Sequence, residues 1–402
     1  MNETFDAIAV GSGFAGAIAA ERLAVQGGLR VLVLERRNHV AGNMFDALDS
    51  HGVRVHRYGP HIFRSDSQRV IDYLSRFTDW HPYEHRVLAS VDGVLVPVPF
   101  NLTSLDRLFP REESLDLRRR IAAAFPGTSG IPVSELKRHP DAALARLGQF
   151  VFDKIYRNYT LKQWGLPPEQ LDFEATTRRV PVRLNEDDRY FQHRFQGLPQ
   201  EGYTALFQKM LSAPGITVRT GTDALELLTP DPDSGRILFR GEPFRGPVIY
   251  SGAADALFGC RFGALPWRAL RFEHESLPLT QFQPAAVVNY PNEHAFTRIT
   301  EFKHMTGQVL EGRTSIAREY PLSFCPETAG RDGTEPCYPI LCPESAALFE
   351  RYRAAAARIP NLCLLGRLGE YRYYDMNDIV TRALEASDAL LETLARGEVR
   401  TP

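Results

Sequence analysis

The chain has 402 residues, 44% of them hydrophobic and 24% charged, with a formal net charge of −2 at pH 7. That length holds two or three domains, and the near-balanced charge excludes bulk attraction to nucleic acid or to an anionic membrane. No stretch approaches an uncharged apolar span, so no membrane crossing is expected. The five cysteines, Cys260, Cys325, Cys337, Cys342 and Cys363, follow no metal-ligand spacing, which predicts no metal and reduced thiols in the cytoplasm.

Phe5 to Val10 is an apolar run, read as a strand and not as a signal peptide. It leads into Gly11-Ser12-Gly13-Phe14-Ala15-Gly16, a helical run from Ala17 to Val25, a second apolar run from Val31 to Leu34, and Glu35. Strand, glycine turn, helix, strand and acid are the parts of a dinucleotide-binding βαβ unit. Gly11 permits the tight turn, Gly13 lets the backbone approach a pyrophosphate, and Gly16 lets helix pack on strand. Ser12, Phe14 and Ala15 complete the turn, where the helix start presents N–H groups to phosphate. Glu35 is placed to accept from an adenosine ribose, with Arg36 beside it. Ala41-Gly42-Asn43 then forms a small-residue turn back along the pyrophosphate, which favours FAD over NAD.

Further along, the runs Val87 to Val91 and Val94 to Val98 flank Asp92-Gly93, a two-residue hairpin signal. Pro97 and Pro99 mark an edge or a strand end. Apolar spacing predicts helices over 117–125, 132–138 and 140–159, stopped at Gly165-Leu166-Pro167-Pro168. The polar, Arg-rich stretch 177–190 reads as a loop. Short strands are expected over 216–221, 237–239 and 248–251, and a second sheet over 270–320. A helix over 346–358, a strand over 362–365 and a closing helix over 378–394 follow.

The expected fold is α/β: a Rossmann-like FAD-binding domain with an inserted helical domain and an antiparallel β-sheet domain. The cofactor domain takes 1–78, 201–258 and 326–402. The β-sheet domain takes 79–102, 179–200 and 259–325. The helical domain is 103–178, with a mobile loop following.

Composition elsewhere points to a nucleotide-sugar site. A nucleobase needs an aromatic face, which Tyr159 or Phe152 supplies. A pyrophosphate needs arginines and phenols, and Arg183, Arg298, Tyr190, Tyr320 and Tyr373 qualify. A sugar needs an aromatic platform with forked polar groups, for which Trp164, His85 and Arg64 serve.

Specific segments run in order from Val10 to about Leu390. Among them are Glu35-Arg36-Arg37-Asn38-His39, Tyr58-Gly59-Pro60-His61-Ile62-Phe63, Tyr159-Thr160-Leu161-Lys162-Gln163-Trp164-Gly165, Arg179-Val180-Pro181-Val182-Arg183, Gly202-Tyr203-Thr204, Thr297-Arg298-Ile299, Glu319-Tyr320-Pro321 and Tyr373-Tyr374-Asp375-Met376. With these the chain resembles the flavin-dependent UDP-galactopyranose mutases of bacteria. The resemblance implies an isomerase that interconverts the pyranose and furanose forms of a UDP-hexose. Reduced FAD would attack sugar C1 through N5 with no net redox change, and NADPH or NADH would be the reductant. By position it implies that Arg183 and Arg298 clamp the pyrophosphate, with the polar loop as a lid. Tyr190, Tyr320 and Tyr373 would bond the phosphates. Tyr159 would stack on uracil beside Phe152, Thr160 would reach the ribose, and Trp164 would shape the sugar pocket. His61 would lie against the isoalloxazine. Gly366, Arg367, Tyr374, Asp375 and Met376 would line the flavin, with Asp375 also near the sugar. A homodimer serving surface-polysaccharide synthesis is implied as well. The alternative is an FAD-dependent oxidoreductase acting on a nucleotide sugar or amine, which leaves the paired arginines unexplained.

Two positions depart from the family pattern. Its loop commonly reads His-Ile-Phe-His; this chain has His61-Ile62-Phe63-Arg64. Arginine is long, always charged and carries five donors. Beside the sugar it would bond a 2-acetamido carbonyl, a 6-carboxylate or a phosphate, which adds UDP-N-acetylgalactosamine to UDP-galactose as an expected substrate. Turned to solvent, it would change nothing. Ala41 stands where a second glycine is usual, and is tolerable unless its φ is positive.

Overall fold

A computed structural model describes residues 4–167, 180–325 and 334–397. Its centre is a parallel sheet whose first unit is β1 (Ala7–Val10), α1 (Phe14–Val25) and β2 (Val31–Leu34). The strand order is Ile216–Arg219, β2, β1, Val248–Tyr250, Leu362–Leu364, every pair parallel. Both strands of the first unit are buried along their whole length, the pattern of a sheet covered on two faces. Ala7 and Ala9 pack towards α1, Tyr203–Leu211 and the closing helix Met376–Ala395; Ile8 and Val10 pack towards Tyr352 and Leu257. The chain winds from β1 to β2 on one side and to Val248–Tyr250 on the other. The switch point thus falls at the ends of β1 and Val248–Tyr250, where open α/β sheets bind ligand.

The second sheet has seven strands, in the order Pro336–Pro339, Trp267–Leu277, Thr314–Ser323, Arg298–Glu301, Val287–Asn289, Val87–Val91, Val94–Val98. It is antiparallel except where Val287–Asn289 runs parallel to Val87–Val91. The hairpin expected at Asp92-Gly93 forms, with φ of 50° and 82°, and Pro97 lies on the edge strand, where no ladder donor is needed. The helical block spans Leu102–Leu108, Arg111–Ala124, Val133–Lys137 and Ala142–Val151. It continues through a π-helical turn, Phe152–Arg157, into Asn158–Trp164, and ends at Gly165 with φ 69°.

Three assignments differ from the sequence reading. Phe195–Pro199, grouped with the second sheet by sequence, instead pairs with Phe63–Ser65 and Trp80–Pro82 in a sheet of its own. Pro336–Pro339, grouped with the cofactor domain, is the edge of the seven-stranded sheet. Val182–Arg183, read as loop, pairs with Gly130–Ile131. Pro168 and Thr177 to Arg179 of the expected stop and loop lie outside the described residues. Among the described residues no helix is long and apolar enough to cross a membrane.

Candidate active site

The glycine turn sits at the switch point. Gly11 has φ 88°, and a Cβ there would meet Ser251 Oγ at 2.3 Å, so only glycine fits. A Cβ on Gly16 would lie 2.0 Å from the Gly11 carbonyl oxygen, which is why α1 packs tightly behind the turn. Glu35 is 6% exposed; its Oε2 accepts from the Ser12 N–H at 2.9 Å and from Ser12 Oγ at 2.6 Å, and its Oε1 from the Arg37 N–H. The acid expected at the ribose therefore also fastens the turn to β2.

A cavity of about 450 Å³ opens at this point. It is lined by Gly11, Ser12, Gly13, Phe14, Ala15, Glu35, Arg36, Gly42, Asn43, His61, Gly366, Arg367, Tyr374, Asp375 and Met376, all of them expected at the cofactor. Ser251 and Gly252 line it too, at the end of the neighbouring strand. Gly16 is absent from the lining and acts behind it. His61 Nδ1 is buried without a partner among the described residues. Burial pushes the His61 pKa down to about 3, with nearby His56 and Arg367 adding to the effect, so the ring is neutral. A helix start, a turn that excludes side chains, an acid at the strand end and an orphaned ring nitrogen fit a dinucleotide.

A second group of side chains adjoins this cavity. Arg298 Nε and Nη2 reach Glu319 Oε2 at 2.8 and 2.7 Å, and Glu319 is 2% exposed. Burial opposes the guanidinium charge, but Glu319 and the nearby phenols outweigh it and hold the Arg298 pKa above its ordinary value. Tyr159 and Tyr190 lie in the field of Arg298, and burial raises both phenol pKa values, keeping them as O–H donors. His85, 4% exposed, is lowered to about 3 by burial and by Arg298 and Arg64, and packs edge-on against Tyr190 at 5.8 Å. Tyr373 stacks on Tyr338 at 5.8 Å, and Trp164 lies 6.1 Å from Tyr338. Thr160 is buried on the helix that carries Tyr159 and Trp164.

Arg64 settles its open question. Its Nη2 donates to Asp375 Oδ2 at 2.7 Å, and its guanidinium lies 3.9 Å from the Phe191 ring centroid. The side chain turns inward, not to solvent.

Three other residues expected at the substrate, Tyr320, Phe152 and Arg183, are engaged by protein partners. Tyr320 lies opposite Arg271, next along its strand from Glu319, so strand alternation puts it on the other face from Arg298. Its hydroxyl donates to Glu273 Oε2 at 2.7 Å, and Arg271 covers its ring at 4.3 Å. Phe152 is 4% exposed in the core of the helical block, with Lys137 Nζ 3.6 Å from its ring. Arg183 donates to the carbonyl oxygens of Asp187, Arg189 and Tyr190, so its guanidinium braces its own loop. Ala41 has φ 77° and is fully buried, the one condition under which alanine is unwelcome there. The sequence reading missed Tyr338, Phe191 and Glu319. The Tyr338-Pro339 pair was the available signal for the first, a third Tyr-Pro step after Tyr290-Pro291 and Tyr320-Pro321.

Comparison with known proteins agrees with this geometry. Residues 154–373 match the family model described as GLF: UDP-galactopyranose mutase, and residues 10–77 match an NAD(P)-binding Rossmann-like domain. A UDP-galactopyranose mutase of Mycoplasma pneumoniae is 36% identical over 396 residues, covering 96% of each chain. A dTDP-fucopyranose mutase of Escherichia coli is 31% identical, covering 95% of this chain and 97% of its own. A crystal structure of reduced UDP-galactopyranose mutase shares the fold at a TM-score of 0.71 and 20% identity, covering 98% of this chain and 94% of that one. Cyclohexylamine oxidase from Brevibacterium oxydans shares it at 0.57 and 14%, covering 98% of this chain and all of the other. The chain belongs to the UDP-galactopyranose mutase family.

Proposed function

We propose that this protein interconverts the pyranose and furanose forms of a UDP-hexose, UDP-galactose or UDP-N-acetylgalactosamine, on reduced FAD. The observation that carries the reading is the Arg298–Glu319 pair, ringed by Tyr159, Tyr190 and Tyr373 and adjoining a dinucleotide cavity walled by His61.

FAD would be held by the Gly11–Gly13 turn and the start of α1 at its pyrophosphate, by Glu35 at its adenosine ribose, and by Arg367, Met376 and His61 at its ring. When reduced it supplies an electron-rich ring nitrogen able to displace a diphosphate from an anomeric carbon. Arg298 neutralises charge that develops on the departing diphosphate, and Glu319 holds its fork in one orientation beforehand. The protonated phenols of Tyr159 and Tyr190 add donors without adding charge. Neutral His61 and His85 wall the space without competing for the phosphates as cations. Arg183 joins the clamp on release from its loop carbonyls, which makes its segment the closing element. Arg64, set against Asp375, meets the sugar edge, where a 2-acetamido carbonyl gains a donor that galactose does not use. NADPH or NADH as reductant, a homodimer and a cytoplasmic location belong to the same proposal.

The test incubates the yellow protein with each UDP-sugar, with and without dithionite. Ring interconversion only under reduction, with no stoichiometric use of reductant, is expected. Net oxidation with oxygen uptake would instead identify an oxidoreductase.

A further inference from the structure

A second crevice, of about 310 Å³, lies between the hairpin Asp46–Leu48 and Arg54–His56, the start of helix Tyr203–Leu211, and residues 306–308. None of its residues belongs to the sugar site. Its wall is rich in donors. His56 is 1% exposed, and its Nδ1 accepts from the main-chain N–H of His61 at 3.1 Å. The neutral ring therefore carries its proton on Nε2, and Nε2 has no partner among the described residues. Burial pushes the His56 pKa down to about 4, so the ring is neutral at pH 7. Tyr203, also 1% exposed, has a hydroxyl that the Phe63 main-chain N–H faces, and its own proton has no acceptor among the described residues.

Arg54 completes the set. Its Nη1 is 3.8 Å from Asp46 Oδ1, beyond hydrogen-bond reach. Asp46 is itself engaged: Oδ2 accepts from the Tyr203 N–H at 2.8 Å and Oδ1 from the Thr204 N–H at 2.9 Å. The start of the helix thus engages both oxygens of the one carboxylate on the wall, and Asp46 faces the Arg54 guanidinium as a loose ion pair without a hydrogen bond between them.

We propose that this crevice binds a small tetrahedral oxyanion of the phosphate class, held by Arg54, His56 and Tyr203. A guanidinium matches such oxygens in charge and spacing, and the remaining oxygens accept from Nε2–H and the phenol. The anion would brace His56, and through it the main chain of His61 on the wall of the dinucleotide cavity. The inference is independent of the sugar chemistry.

Tungstate, a tetrahedral oxyanion with a strong anomalous signal, is diffused into crystals of the intact flavoprotein, and inorganic phosphate affinity is measured in solution. An anomalous peak between Arg54, His56 and Tyr203 is expected. Arg54→Gln should abolish the peak and weaken phosphate binding about tenfold or more, the worth of one charge-assisted hydrogen bond. Tyr203→Phe should weaken it less, and Arg298→Ala should leave this peak in place. A crevice holding only water, or a peak and affinity unchanged in Arg54→Gln (an adventitious ion only), would overturn the proposal.

Discussion

Arg64 and Asp375 share one carboxylate with a helix. Asp375 Oδ1 accepts from the Asp378 N–H and caps the closing helix, while Oδ2 takes the Arg64 guanidinium. A residue that departs from the family pattern is thus anchored to the wall of the cofactor cavity and aimed at the neighbouring space. Replacing Arg64 with His removes the long donor and leaves the cap. Arg64→His should shift the ratio of kcat/KM for UDP-N-acetylgalactosamine over UDP-galactose about tenfold towards galactose, the loss of one hydrogen bond to a charged group. An unmoved ratio would place Arg64 outside sugar recognition.

Arg298 is held ready by Glu319. Arg298→Ala should lower kcat by a factor of about 100 or more, as removal of a pre-oriented charge stabiliser does, while the absorbance spectrum still shows bound flavin. Normal turnover would remove Arg298 from the chemistry.

Tyr320 and Tyr338 separate cleanly by experiment. Tyr320 faces Glu273 and Arg271, whereas Tyr338 stacks on Tyr373. Tyr320→Phe should leave KM for the UDP-sugar unchanged. Tyr338→Phe should raise it several-fold, to about tenfold. The reverse ranking would contradict the placement of the two strands.

Ala41 adopts a left-handed backbone in a fully buried position. Ala41→Gly exchanges relief of strain against a lost methyl contact and should be nearly neutral. Ala41→Val adds a branched side chain where neither backbone nor space allows it, and should cost about 2 kcal/mol or more. Thermal melts and flavin retention of the two variants measure the difference.

The folded protein holds His56, His61 and His85 below the ordinary histidine value, at about 4, 3 and 3. As pH falls below about 6.5 the unfolded chain takes up protons that the native rings refuse, so stability drops until the folded values are reached. Each ring contributes roughly 1.4 kcal/mol per pH unit over that range. His304 works the other way: Glu301 raises its pKa, so its contribution is lost as pH rises through the folded value. Burial lowers His39 and His274 as well, so with five rings against one, denaturant midpoints should fall as the pH drops from about 6.5 to about 4.5. A flat profile would show that the rings are charged when folded.

The cofactor turn was legible because its physics is local: glycine at a positive φ, a helix start and an acid closing the next strand all lie within one stretch of chain. The hairpin at Asp92-Gly93 was legible for the same reason. Tyr320 was misplaced because Glu319-Tyr320-Pro321 looks alike whichever face it presents, and only the pairing of Arg298 with Glu319 decides. The partner of Phe195–Pro199 depends on strands more than a hundred residues earlier, and nothing in its own sequence names them. Val182–Arg183 pairs across the helical block, so its short ladder is invisible to periodicity. The π-helical turn at Phe152–Arg157 likewise leaves no mark that separates it from an ordinary helix.

The central sheet draws its last strand, and the cover for α1, from the end of the chain. Arg22 on α1 pairs with Asp388 on the closing helix, and Leu23 shares a core cluster with Val380 and Leu384. The floor of the nucleotide cleft is made first during synthesis and its far wall last. A chain ending before Asp375 would lack Asp375, Met376 and Ile379 from the wall of the cleft and the helix that covers α1.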